Sequence, residues 1–229
     1  MHEKWIMDLH NHSVWSDGEN TICELAEHAK QTGLTALGIC DHIFAQETKS
    51  LNLSDGAEYL ENINDIREDF EDDIKVFAGL EIPIAVLNQS LSDDIVDIFN
   101  KMDYVLIEDF AYLSNKADWM IVKENLDKIR CKKGMAHTIP TTDALQFMIG
   151  NSLFWELNVN PAYDIFEIAQ IYENKEAMRL FESLNRNLIT VSVGSDSHSL
   201  DEYPLGRIEC ANAIVRDYLH KVIIEAKEE

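Results

Sequence analysis

The sequence predicts an α/β fold of about seven parallel βα units closed into a barrel, and three observations predict it. Short apolar runs rich in β-branched residues recur along the whole chain. Stretches of helical periodicity separate them. Runs of that kind are strands buried on both faces, as parallel strands covered by helices are. Histidines and acids stand at the ends of the runs, and a parallel barrel gathers its strand ends on one face.

The elements follow in order. Strand one covers residues 5–10, where Trp5-Ile6-Met7 lead into Asp8-Leu9-His10. Its helix covers about residues 21–31, with Asn20 placed to cap it and Gly33 just past its end. Strand two spans 35–40 and is followed by a helix over about 55–71. Strand three spans 75–81, with a helix over about 92–101. Strand four spans 104–107, with a helix over about 117–132. Strand five spans 134–137, with a short helix over about 142–149. Strand six spans 154–158, with a long helix over about 164–185. Strand seven spans 189–193, and the last helix covers about 211–227. Seven units of about 30 residues suit this length, which is short for an eight-unit barrel. No linker rich in Pro, Gly or Ser divides the chain, so residues 1–229 read as one domain with a sizeable core.

Composition narrows the function. The formal net charge is −23, with 42 acidic against 19 basic residues. Much of the excess lies on the expected helices at 58–73, 93–97 and 225–229, as a solvated surface. A polyanion needs a basic footprint and none is visible, so nucleic acid is not an expected partner. No apolar run reaches the ~20 residues that span a bilayer, and no signal peptide is evident. No membrane partner is expected, and the expected location is cytoplasmic. Cys23, Cys40, Cys131 and Cys210 are scattered without a C-x-x-C pair, which fits reduced, structural cysteines. There is no Gly-rich phosphate loop and no G-x-S-x-G.

The motifs point to metal. His10 and His12 lie one residue apart in an extended segment, so both point to the same side. Neutral imidazole is a common ligand for zinc and suits iron. Asp17 follows in Ser16-Asp17-Gly18. Asp41-His42 ends strand two, Glu81 ends strand three, His137 ends strand five, and Asp196-Ser197-His198 follows strand seven. Five histidines and three acids at strand ends make one cluster.

This ordered set, from about residue 5 to about 207, resembles the PHP superfamily, named for polymerase and histidinol phosphatase. The resemblance implies a distorted TIM-like barrel of seven βα units with two or three metals at the C-terminal ends of the strands. It also implies a metal-dependent phosphoesterase, the activity of most free-standing members. Carried over residue by residue, His10 and His12 hold a first metal with Glu81 and Asp196. Glu81 bridges to a second, which His137 also binds. Asp17, His42 and His198 hold a third. Zinc, manganese and iron all suit such mixed ligands. A hydroxide between two cations forms near neutral pH and can attack phosphorus in line, while the metals neutralise the phosphoryl charge. Asp17 therefore belongs to the catalytic group, and Arg207, just after strand seven, is the candidate phosphate clamp.

One departure stands out. The family usually has a histidine after strand four, and here the segment reads Val105-Leu106-Ile107-Glu108-Asp109-Phe110. Glu108 or Asp109 can substitute as a carboxylate ligand, and the longer Glu108 is the better placed. Glu156 or Asn158 is expected to orient ligands, and Asp8 and Asp41 to accept a histidine N–H. His2, His28 and His220 read as surface residues. The expected function is hydrolysis of a small phosphorylated metabolite, a phosphomonoester, by metal-activated hydroxide. The alternatives are a metal-dependent amidohydrolase-like enzyme, disfavoured by the lack of a lysine at a strand end, and a non-catalytic metal-binding domain.

Overall fold

A computed structural model of the chain describes residues 5–110, 119–170, 175–219 and 223. Seven strands lie side by side in sequence order, every neighbouring pair parallel. They are β1 (Met7–Asn11), β2 (Ala36–His42), β3 (Lys75–Pro83), β4 (Tyr104–Glu108), β5 (Lys132–Met135), β6 (Phe154–Asn158) and β7 (Val191–Gly194). The sheet curls into a nearly closed barrel. Its seam closes at the C-terminal end, where Asp196 N–H donates to His10 O (2.8 Å) and His12 N–H donates to Ser197 O (2.9 Å).

The helices between the strands are α1 (Ile22–Thr32), α2 (Gly56–Asp69), α3 (Ile84–Leu87), α4 (Asp93–Lys101), α5 (Trp119–Lys128), α6 (Thr142–Asn151), α7 (Ile165–Gln170), α8 (Lys175–Arg186) and α9 (Leu205–Tyr218). The core is apolar on both sides of the sheet. Leu9, Ile39, Leu80, Val105, Trp155 and Val193 are all fully or almost fully buried. Burying such side chains stabilises the fold by about 1.5–3 kcal/mol each, which is why the strands read as continuous apolar runs.

Several boundaries differ from expectation. Thr21, not Asn20, caps α1: its hydroxyl accepts from Glu24 N–H (3.2 Å), and the Glu24 carboxylate accepts from Thr21 N–H (2.8 Å). Asn20 instead accepts from Leu200 N–H (3.0 Å). Gly33 ends α1 at φ 79°, where a side chain would be strained. Within the helix expected over 164–185, the described residues form α7 and α8. The last helix begins at Leu205 rather than 211, because Pro204 sets its start. β5 starts and ends two residues earlier than expected, leaving His137 in the following loop. Among the described residues no helix is long and apolar enough to cross a membrane. All four cysteines are free.

Candidate metal centre

The parallel register delivers the ligand-type side chains to one end of the barrel. His10 lies in β1, and His42 pairs across from Glu81 on β3. Pro83 pairs with Glu108 on β4, so Glu108 stands one step further out than Glu81. His137 follows β5, Glu156 and Asn158 lie in β6, and Asp196 and His198 follow β7. Asp17 arrives on the loop after β1. Asp17, His42, Glu81, Glu108, His137, Asp196 and His198 line a 680 Å³ cleft.

Glu81 is the hub and is fully buried. Four imidazole nitrogens surround its carboxylate: His10 Nε2 (3.1 Å), His12 Nε2 (3.4 Å), His42 Nδ1 (3.3 Å) and His137 Nε2 (3.0 Å). His10 Nε2 also faces His12 Nε2 at 3.1 Å, and His12 Nε2 lies 3.1 Å from Asp196 Oδ1. Ligand atoms about 2.0–2.1 Å from one tetrahedral ion lie ~3.3 Å from each other. The separations within His10, His12, Glu81 and Asp196 match that spacing. A second set joins His42 and Glu81 to Glu108, whose Oε1 is 3.7 Å from His42 Nδ1. A third joins His12, Asp17, His42 and His198. There Asp17 Oδ2 lies 3.4 Å from His198 Nε2 and 3.8 Å from His42 Nε2.

Tautomers show that these atoms fit cations. His10 Nδ1–H donates to Glu156 Oε1 (2.8 Å). A neutral His10 therefore aims its Nε2 lone pair at the lone pairs of Glu81 and His12. His198 Nδ1 must donate to the Asp196 carbonyl (3.0 Å), which leaves its Nε2 lone pair facing Asp17. His42 Nδ1 is buried with no hydrogen-bond partner. Lone pair against lone pair is repulsive unless a proton or a metal ion sits between them, and a neutral imidazole with its other N–H anchored is a prepared metal ligand.

Without metal, protons take that place. Burial opposes a charged His12, but hydrogen bonds to Asp196 and Glu81 outweigh it and lift its pKa to about 10. Burial likewise opposes a charged His137, and Glu81 lifts it to about 9. Burial alone would raise the pKa of Glu81, but charge and hydrogen bonds from His10, His12 and His137 hold it well below the carboxylate range. Asp17 is also held low, by hydrogen bonds from His198 and Thr48 that outweigh its burial. Burial, with the charges of Glu81 and Asp109, pushes Glu108 up to about 7.

Supporting residues hold the ligands from behind. Glu156 accepts from His10 and also, through Oε2, from His137 N–H (2.8 Å) and Asn158 Nδ2 (3.0 Å). Gly194 makes the room: a Cβ there would strike Glu156 Oε1 and come within 2.6 Å of His10 Cβ. Asp8 and Asp41 do not accept from imidazoles as expected. Asp8 takes Ser195 N–H (2.8 Å), Ser195 Oγ (2.7 Å) and Tyr203 Oη (2.6 Å), fixing the loop that carries Asp196. Asp41 takes Ser13 N–H (2.7 Å) and Ser16 N–H (3.1 Å), fixing the loop that carries Asp17. Asp196 and His137 sit at φ 55° and 26°, conformations that cost about 1–3 kcal/mol and persist only where the surroundings fix them.

Arg207 is placed differently from its expected role. Its Nε donates to Val159 O (2.6 Å), its Nη1 pairs with Glu167 (2.8 Å), and its guanidinium stacks on Phe166 (4.4 Å). It ties α9 to the end of β6 and α7, and it does not line the cleft. His28 is half-buried against the Tyr203 ring (4.8 Å) rather than on the surface, and His2 and His220 lie outside the described residues. Sequence reasoning missed Tyr163, which stacks on His137 with ring centroids 4.3 Å apart and planes 4° apart.

The sequence matches the PHP domain family over residues 8–225. No curated protein matches it. Solved structures similar in fold include a histidinol phosphate phosphatase from Lactococcus lactis, complexed with zinc, L-histidinol and phosphate. It is 16% identical, with 95% of each chain covered and a TM-score of 0.59. The HisK protein of Listeria monocytogenes is 13% identical, covering 86% of this chain and 97% of its own, with a TM-score of 0.57. A third comes from the work on YwqE of Bacillus subtilis and CpsB of Streptococcus pneumoniae, metal-dependent tyrosine phosphatases. It is 15% identical over 93% of this chain and 87% of its own, with a TM-score of 0.54.

Proposed function

Because the chain belongs to the PHP domain family, we propose that it is a metal-dependent phosphoesterase, a phosphomonoesterase of a small phosphorylated metabolite. It is a hydrolase that uses divalent metal ions. The observation that carries this reading is the Glu81 carboxylate ringed by four imidazole nitrogens at 3.0–3.4 Å.

His10, His12, Glu81 and Asp196 would hold one ion. Glu81, with His137 and Glu108, would hold a second, Glu108 standing where a histidine is usual. Asp17, His42 and His198 would hold a third at the rim. A neutral imidazole offers one lone pair, so each histidine would serve one ion. When bound, the ions supply positive charge for the phosphoryl oxygens and acidify water. The chain supplies the rest. Glu156 and the Asp196 carbonyl fix the histidine tautomers. Burial keeps the Tyr163 phenol protonated, so it can donate a hydrogen bond into the cleft. No lysine or arginine lines that cleft among the described residues, so neutralising the substrate's charge would fall to the bound ions.

The test is hydrolysis of an aryl phosphate by protein reconstituted separately with zinc, manganese and iron. Release of phosphate that Glu81→Ala abolishes supports the reading. Cleavage of amide substrates alone favours an amidohydrolase, and tight metal binding with neither activity favours a non-catalytic domain.

A further inference from the structure

One wall of the ligand cleft is the loop that follows β2, through Phe44, Ala45, Gln46, Glu47 and Thr48. Its two ends are drawn together at the barrel. Ile43 bridges to Leu51, Leu51 N–H donates to His42 O (2.8 Å), and Ser50 Oγ–H donates to the same carbonyl (3.2 Å). Gln46 and Glu47, further out, are exposed. Two side chains then fasten the loop to the segment that follows β1. Thr48 Oγ1–H donates to Asp17 Oδ2 (2.5 Å), and Lys49 Nζ donates to Val14 O (2.5 Å). Asp17 Oδ2 is also the oxygen that faces His198 Nε2 (3.4 Å) and His42 Nε2 (3.8 Å). Asp17 Oδ1 is turned elsewhere, accepting from Ser16 Oγ (3.3 Å) and lying 3.5 Å from His12 Nδ1.

We propose that Thr48 is a positioning residue for the rim ion, and that through Thr48 the ion fixes this wall of the cleft. The proposal rests on the metal-dependent reading of the site and adds a coupling between metal and wall. A carboxylate oxygen has two lone pairs. Thr48 takes one on Oδ2, which leaves the other for an ion shared with His42 and His198. The hydroxyl thereby sets the rotation of the Asp17 carboxylate, as an outer partner of a ligand does. The coupling is reciprocal. Whatever the Thr48 hydrogen bond adds to ion binding, the ion adds to holding the loop against Asp17. Gln46 and Glu47 ride on that loop, so filling the rim site also places the groups that a substrate meets on this side.

Trypsin reads the loop directly, because Lys49 is the one lysine or arginine between Lys30 and Arg67. The experiment follows cleavage after Lys49 by mass spectrometry, in protein stripped with a chelator and in protein loaded with zinc. Zinc should slow this cleavage about tenfold, within the ordinary range of coupling between two sites. Thr48→Val keeps the shape and removes the hydroxyl. It should erase most of the zinc protection, and in a chelator competition it should weaken one bound ion by about 10–100-fold while leaving the others unchanged. Thr48→Ser keeps the hydroxyl and should behave as wild type. Equal zinc protection in wild type and Thr48→Val, or unchanged affinity for every ion, would overturn the proposal. So would cleavage that Thr48→Val speeds equally with and without zinc, which marks a role in the loop alone. Wild-type protein that binds no zinc would overturn the metal-dependent reading and the coupling with it. Zinc protection lost in Thr48→Val, with no aryl phosphate hydrolysed by the wild type, would keep the coupling and overturn the phosphoesterase reading.

Discussion

Glu156→Gln tests the way the ligands are held. The Glu156 side chain is fully buried and accepts three donors: His10 Nδ1–H at 2.8 Å on one oxygen, and His137 N–H at 2.8 Å and Asn158 Nδ2 at 3.0 Å on the other. Glutamine has one acceptor oxygen. If that oxygen serves His137 and Asn158, the amide NH₂ faces His10 Nδ1, and the His10 proton moves to Nε2, the atom that faces Glu81 and His12. The ligand lone pair is then lost. If the amide flips, His10 keeps its tautomer, but His137 N–H and the Asn158 amide lose their acceptor while buried. Each lost acceptor costs about 1–3 kcal/mol. Losing a partner of this kind weakens metal binding by about 10–100-fold, which is ~1.4–2.7 kcal/mol. A chelator competition titration reads the affinity, and calorimetry on the metal-free protein reads the fold. A variant with wild-type metal affinity and wild-type Tm would refute the reasoning, because neither amide orientation could then be costly.

Three further predictions follow from the same geometry. Glu81→Ala should lose more metal than Asp17→Ala, because Glu81 faces four histidines in the buried floor and Asp17 stands at the rim; elemental analysis of both variants checks this, and equal losses would count against a shared carboxylate. Gly194→Ala places a methyl on Glu156 and against His10, so it should cost about 1–3 kcal/mol of stability and lower metal content together with Tm; a wild-type melting curve would contradict it. The metal-free protein should lose stability as pH rises from 7 to 10. His12 and His137 titrate near 10 and 9 in the fold against ~6.5 unfolded, so their contribution is complete below ~6.5 and is lost as pH climbs through the folded values. A melting temperature flat or rising over that window would show that the imidazoles are not protonated there.

Much of this arrangement is legible along the chain because a parallel barrel converts position into proximity. His42 and Glu81 end two apolar runs, and a seven-residue register in phase makes them partners across β2 and β3. The cap of α1 is a reading the structure corrects: Thr21 with Glu24 three residues on is the capping-box pattern, which Asn20, the expected cap, lacks. Other features have no local signature. Glu156 stands out in the sequence from its place at the end of β6, but nothing local names its partner His10, 146 positions away. Asp8 and Asp41 sit beside ligands yet fix loops, because the serines that follow β1 and β7 reach them first. Arg207 follows β7 in sequence, but α9 begins just before it and turns its guanidinium onto Glu167 and Phe166. Phe110, Trp119, Phe147 and Tyr163 come from four different segments, and only the fold shows that they line one cavity beside the metal-ligand cleft.

The most direct measurement is anomalous X-ray diffraction from crystals of the metal-loaded protein, collected at the absorption edge of the metal supplied. The account predicts at least two peaks, one on each side of the Glu81 carboxylate. One lies among His10, His12 and Asp196, and the other lies beside His137 with a Glu108 oxygen at about 2.0–2.2 Å. A single peak, or peaks none of which lies within coordination distance of Glu81, would contradict it.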